Sequence, residues 1–213
     1  MSENPHPQDR LDLVVLRHGE TDWNADGRYQ GRRNVPLNET GRQQIQRVAR
    51  CFADDHPDIV SRLDDYDFVT SPLSRADQTM AALAAALHVA RVDSAEALVE
   101  RDYGRWEGWT RAEIKARYPD ERRRHRDEPW HFRPPDGGES YADLSERVGG
   151  WLVGLQRSAV IASHAGVIRV LAHRLGGLAK DKAASLPVPH CAVFRFTMRQ
   201  PHGAALKDRA AAG

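Results

Sequence analysis

The 213-residue chain has few cysteines, almost no net charge and no long apolar run, and each shortage removes a class of function. Its two cysteines, Cys51 and Cys191, form neither a metal-spaced pair nor a disulfide framework. Cys51 falls on a helical apolar stripe and reads as a small buried hydrophobe. No apolar run approaches the ~18 residues that a membrane-spanning helix needs. Met1 to Arg10 is polar, with two prolines and no apolar signal region. These absences point to a reducing cytoplasm and to no membrane partner. A formal net charge of +1 creates no global field, so an anionic ligand has to be attracted by a local cluster. Nucleic acid is not expected as a partner on the same ground. No Walker loop, Asp-x-Asp pair or His-Glu-x-x-His appears, so neither a metal site nor a cofactor is expected.

What is present describes a globular protein, with 40% hydrophobic and 29% charged residues. A chain of this length buries roughly 70% of its unfolded surface and needs no disulfide or metal staple. Residues 1–10 and 201–213 read as flexible ends, and 11–200 as one domain with a small insertion at about 105–137. Leu11–Leu16 is an apolar run suited to a buried strand, followed by a polar loop to Asn38. Thr40 with Gln43 forms a capping-box pattern ahead of Ile45, Val48, Ala49 and Phe52 at helical spacing. Tyr66–Thr70 is a second strand candidate, and Ser74 with Asp77 opens a helix along Ala76, Met80, Leu83 and Leu87. Thr110 with Glu113 starts a helix to about Tyr118, and Ser140 with Asp143 starts another along Leu144, Val148, Trp151, Leu152 and Leu155. Ala159–Ser163 is a third strand, a helix runs from about Val167 to Leu175, and Ala192–Phe196 is a last strand. Strands interleaved with helices predict a three-layer α/β/α sandwich around a mostly parallel sheet.

The first three strand candidates each end on basic side chains. Arg17 and His18 follow the first, Arg75 follows the second within Ser71-Pro72-Leu73-Ser74-Arg75, and His164 follows the third. In open α/β sheets ligands sit beyond the carboxyl ends of the strands, so a parallel arrangement brings these four groups to one crevice. Such a crevice suits a dianion, and the planar arginine fork matches phosphate oxygens two at a time. The cations are then supplied by side chains in place of a metal.

The segment Leu16-Arg17-His18-Gly19-Glu20-Thr21 resembles the signature of the histidine phosphatase superfamily, the phosphoglycerate mutase-like proteins. The resemblance continues through Trp23-Asn24, Arg28-Tyr29-Gln30-Gly31 and Pro36-Leu37-Asn38. It resumes at Ser71–Ala76, Glu100–Gly104, Gly137–Ser140 and Ser163-His164-Ala165-Gly166. These blocks span 11–196 in family order. The resemblance implies that His18 is the nucleophile and that Arg17, Arg75 and a protonated His164 complete the phosphate pocket. It implies that Asn24 contacts the phosphate, that Gln30 and Gly31 line the substrate, with Ala165 after the second histidine, and that Glu100 is the proton donor. The other ring nitrogen of His18 is then expected to donate to a backbone carbonyl such as that of Gly19. A surface glutamate paired with Arg101 or Arg105 is the plainer reading of Glu100.

The interval from Trp109 to Pro135 is short and resembles the phosphatase branch, whereas the related mutases carry a longer insertion there. The expected activity is therefore hydrolysis of a small phosphorylated metabolite through a covalent phosphohistidine. A cofactor-dependent mutase is the alternative, kept open by Arg122–Arg124, and a non-catalytic phosphate-binding module is a third reading. Substrate choice is expected to rest on Gln30, Gly31, Arg101, Arg111 and residues 120–135. Trp106, Trp109 and Trp130 read either as a lid or as packing of the insertion. A homodimer is one assembly left open.

Overall fold

Alternate residues of each central strand face opposite apolar layers, which is why the middles of these segments are mostly apolar rather than alternating. The structure, a computed structural model, describes residues 10–199; the expected flexible ends lie outside them, except that Arg10 already belongs to the first strand. Strands β1 (Arg10–Arg17), β2 (Tyr66–Thr70), β3 (Asp93–Ser94), β4 (Ser158–Ser163) and β5 (Val193–Arg199) form one sheet in the order β3-β2-β4-β1-β5. β1, β2, β3 and β4 run parallel, and β5 closes the edge antiparallel to β1.

On one face, Leu13, Val15, Ala159 and Ile161 pack against helices α7 (Tyr141–Val153) and α8 (Ala165–Arg174), through Leu144, Val148, Ile168 and Leu171. On the other, Val14, Leu16, Val160 and Ala162 meet α2 (Glu39–Asp55) and α4 (Ser74–Ala86), through Ile45, Phe52, Met80 and Leu83. Truncating one of these fully buried Leu or Ile residues to alanine costs about 2–5 kcal/mol. The result is the expected three-layer sandwich. A smaller cluster of Trp106, Ile114 and Phe132 sits under α5 (Arg111–Arg117) and α6 (Pro119–Asp127). α6 takes up the Glu121–Arg126 run.

Several local expectations need correction. α2 is capped by Asn38, whose side chain accepts from Gly41 N at 2.8 Å, so Thr40 lies inside the helix. α4 has no cap from its own Ser74; instead Ser74 N donates to Asn34 Oδ1 at 2.7 Å, a partner forty residues away. Cys51 is exposed, because it points away from the face that buries Ala49 and Phe52; Cys191 is the buried one. α8 begins at Ala165, directly after His164, and not at Val167. The loop to Asn38 contains a short helix α1 (Asp22–Ala25) capped by Thr21. The capping boxes at Thr110 and Ser140 form as expected.

Candidate active site

β4 lies between β1 and β2, so its carboxyl end carries His164 between the exits of the other two strands. The parallel ladder continues one step past the strands: His18 N donates to Ser163 O at 2.9 Å and Ser71 N to Ala162 O at 3.0 Å. The rings of His18 and His164 come within 5.2 Å, tilted by 58°. His18 Nδ1 lies 2.7 Å from Gly19 O. A carbonyl only accepts, so Nδ1 carries the proton and Nε2 keeps its lone pair. The Gly19 peptide is held in turn by its N–H donating to Thr79 Oγ1 at 3.1 Å. The turn packs so closely on the start of α2 that a Cβ on Gly41 would overlap Glu20 O.

Arg75 is buried and aimed by the loop before it: its guanidinium donates to Gly31 O at 2.7 Å and to Arg33 O at 2.8 Å. Gly31 holds φ +53°, and a side chain there would collide with Glu107. Arg17 donates to Val188 O at 2.5 Å. His164 Nε2 is 2.8 Å from Ser71 Oγ. Arg17 Nε, Arg75 Nε and His164 Nδ1 are buried with no hydrogen-bond partner among the described residues. Buried donors left unpaired cost about 1–3 kcal/mol each, which fits groups reserved for a ligand.

Burial, then the charges of Arg75 and Arg17, hold His18 well below the usual histidine range. Burial, Arg75 and His18 do the same to His164, and burial lowers Arg75 to about 10. Both imidazoles are therefore held neutral. The protonated His164 that the resemblance implies during transfer requires an arriving dianion to offset the arginines.

Glu100 is not the surface residue of the plainer reading. It is 8% exposed, and its carboxylate accepts from Arg101 N at 2.8 Å and Gly166 N at 3.2 Å. Glu100, Arg17, His18, Asn24, Gln30, Gly31, Arg75 and Ala165 all line one cavity of about 180 Å³, with His164 buried just behind. Asn24 is oriented by the α1 cap, where its Oδ1 accepts from Thr21 N at 3.2 Å.

Four further residues line the cavity: Arg28, Tyr29, Tyr103 and Arg169. Arg169 stands one helical turn after Ala165, a spacing that could have flagged it. The Tyr29 and Tyr103 rings meet at 4.7 Å across 74 residues of chain, which no local pattern signals.

Other expected contributors lie elsewhere. Arg101 is buried between the rings of Tyr103 and Tyr141, at 4.6 and 4.2 Å, and Arg111 is exposed on α5. Arg124, His131 and Arg133 line a separate hollow of about 460 Å³. Trp106 stacks on Phe132 and donates to Glu121, while Trp130 stacks on Tyr141 in the main core; both are packing residues and not a lid. Among the described residues no group of three or more His, Cys, Asp or Glu is placed to hold a metal, and no helix is long and apolar enough to cross a membrane.

Comparison with known proteins agrees with this geometry. The profile of the histidine phosphatase superfamily, branch 1, matches residues 13–208. Phosphoserine phosphatase 1 of Hydrogenobacter thermophilus is 30% identical over 200 residues, covering 92% of this chain and 90% of its own. Glucosyl-3-phosphoglycerate phosphatase of Mycolicibacterium vanbaalenii is 33% identical over 183 residues, 79% of this chain and 76% of its own. The solved mycobacterial glucosyl-3-phosphoglycerate phosphatase in complex with VO3 superposes with a TM-score of 0.70 at 28% identity, over 87% of this chain and 92% of that one.

Proposed function

The chain belongs to the histidine phosphatase superfamily, and we propose that its phosphoryl group passes through His18 on the way from substrate to water. It is an enzyme that hydrolyses phosphomonoesters of small molecules. The observation that carries the His18 role is its tautomer: Nδ1 is tied to Gly19 O, so the Nε2 lone pair faces a pocket of buried, unpaired cationic donors.

Nε2 attacks phosphorus as the ester oxygen departs, forming an N–P bond and breaking the P–O bond. Arg17 and Arg75 hold the equatorial oxygens, and His164 turns cationic as the dianion arrives. Glu100 gives its proton to the leaving alkoxide, then accepts one from the water that attacks phosphohistidine. Asn24, Gln30, Gly31 and Ala165 shape the wall around the phosphate. Two arginines supply the charge for which many phosphoryl-transfer enzymes use magnesium, so catalysis needs no metal. Arg122–Arg124 do not line the cavity, which leaves no second phosphate site there and favours water over a mutase-type acceptor. We treat 11–200 as one catalytic domain with 105–137 as its insertion, working in a cytoplasm that keeps Cys51 and Cys191 as thiols.

His18→Ala should abolish phosphate release from p-nitrophenyl phosphate while the protein stays folded, and quenching with labelled substrate should trap an acid-labile, base-stable adduct on the wild type. Full activity in His18→Ala removes the covalent route. Strong inhibition by EDTA removes the metal-free reading.

A further inference from the structure

Glu107 is a buried charge beside the cavity that the phosphoryl transfer itself leaves unused. Its side chain is 9% exposed and stands behind the cavity wall, not among the residues that line it. It follows the turn Gly104–Trp106, where the fully buried Trp106 fixes the point from which its side chain starts. Oε1 accepts from Arg32 N at 2.9 Å and from Tyr103 N at 3.3 Å, and Oε2 pairs with Arg33 Nε at 3.2 Å. The Arg32 N–H and the Gly31 carbonyl belong to one peptide, whose planar trans geometry points its two ends in opposite directions. The N–H meets Glu107, and the carbonyl accepts from Arg75 Nη2 at 2.7 Å. Glycine at 31, with φ +53°, puts little steric resistance in the way of a flip of this peptide. The carboxylate opposes such a flip, because it would set two acceptor oxygens against each other.

We infer that Glu107 is a positioning residue for Arg75: by holding the Gly31–Arg32 peptide it sets the direction of the guanidinium that meets the phosphate. This rests on the phosphatase reading, which assigns Arg75 to the phosphate. The second acceptor of Arg75, Arg33 O at 2.8 Å from Nη1, lies two residues on in the same loop, and the Arg33 side chain is itself paired with Glu107. Both acceptors therefore belong to the segment that Glu107 ties to the Tyr103 turn. A carboxylate on the N–H also polarises the peptide and makes its carbonyl a stronger acceptor for Arg75. Glu107 acts on Arg75 through its charge as well, favouring the cation against burial. Reach and charge are separable by substitution.

The test is the dissociation constant of inorganic phosphate, measured by calorimetry. It refers to the folded fraction, so a loss of stability alone does not move it. Glu107→Asp keeps the charge but falls one methylene short of the two amides. It should weaken phosphate about tenfold, the size of one misdirected charge-assisted hydrogen bond. Glu107→Gln keeps the reach and the accepting oxygen, and should stay within about threefold of the wild type. Arg75→Met should weaken phosphate about tenfold or more, and Glu107→Asp added to it should then cost less than about twofold. The same loss from Glu107→Asp in both backgrounds overturns the inference, and so does Glu107→Gln binding as weakly as Glu107→Asp. Unchanged binding in Arg75→Met sinks the phosphate role of Arg75 and the inference with it. A loss in Arg75→Met with none in Glu107→Asp sinks the role of Glu107 alone.

Discussion

Gly166→Ala tests the placement of Glu100 without touching a reacting group. The Glu100 carboxylate sits between two backbone amides, Arg101 N and Gly166 N, and a methyl at 166 would occupy the volume of Glu100 Oε1. At 8% exposure the carboxylate cannot retreat into bulk water, so it must swing off both amides. A misplacement of ~1 Å costs on the order of a hundredfold in rate, within the ~10²–10⁴ that a positioned general acid supplies. The overpacking itself should cost about 1–3 kcal/mol of stability. The leaving group separates these effects. kcat/KM reports events up to departure of the alcohol, so for glycerol 3-phosphate it should fall about a hundredfold. For p-nitrophenyl phosphate, whose phenolate leaves without a proton, it should fall less than about tenfold. kcat should drop for both, because the water step needs the same carboxylate. Glu100→Gln should repeat the pattern. Steady-state phosphate release with both esters, with a thermal melt of each variant, is sufficient. Equal loss of kcat/KM on the two substrates, or none, refutes the role given to Glu100.

Two further outcomes follow from the packing. His18 and His164 are held well below the usual histidine range and His125 at about 3, all chiefly by burial. Below pH ~6.5 the unfolded chain binds protons that the folded one does not, so stability present above that pH is lost as pH falls. Each of the three contributes a slope of about 1.4 kcal/mol per pH unit. His190, lowered to about 4, adds a smaller, screened amount. Urea unfolding at about pH 7 and about pH 5 measures this, and equal midpoints would contradict the neutral, buried histidines. Gly41→Ala should destabilise by about 3 kcal/mol, since the new methyl meets the backbone carbonyl of Glu20, which cannot rotate aside. A melt within a degree or two of the wild type would show that the turn after β1 yields.

The positions of β1, β2, β4, β5 and of the long helices were legible because they depend on short-range patterns, whereas the two-residue β3 at Asp93–Ser94 carries no such pattern. Tyr66–Thr70 is mostly buried and bounded by polar residues, and Thr110 and Ser140 each find their capping partner three residues on. Caps drawn from afar were not legible. Asn34 serves Ser74, and Asn38 displaces Thr40 because the chain at Asn38 is already tied by its N–H to Glu20 O at 3.0 Å. Cys51 shows a limit of stripe reading, since two residues past Ala49 on a helix is enough to leave the buried face.

The sequence by itself determined that Arg17, His18, Arg75 and His164 would meet, because parallel strands present their carboxyl ends on one side and each group follows its strand within a few residues. Only the tertiary structure decided their state. Burial among arginines makes both histidines neutral, and two amides from different segments cradle Glu100. Arg101 is withdrawn between two rings, while Arg169 is held at the cavity wall by Leu186 O and the Tyr141 hydroxyl. Desolvation and charge balance depend on every element packed around a group, whereas a motif records only its neighbours along the chain.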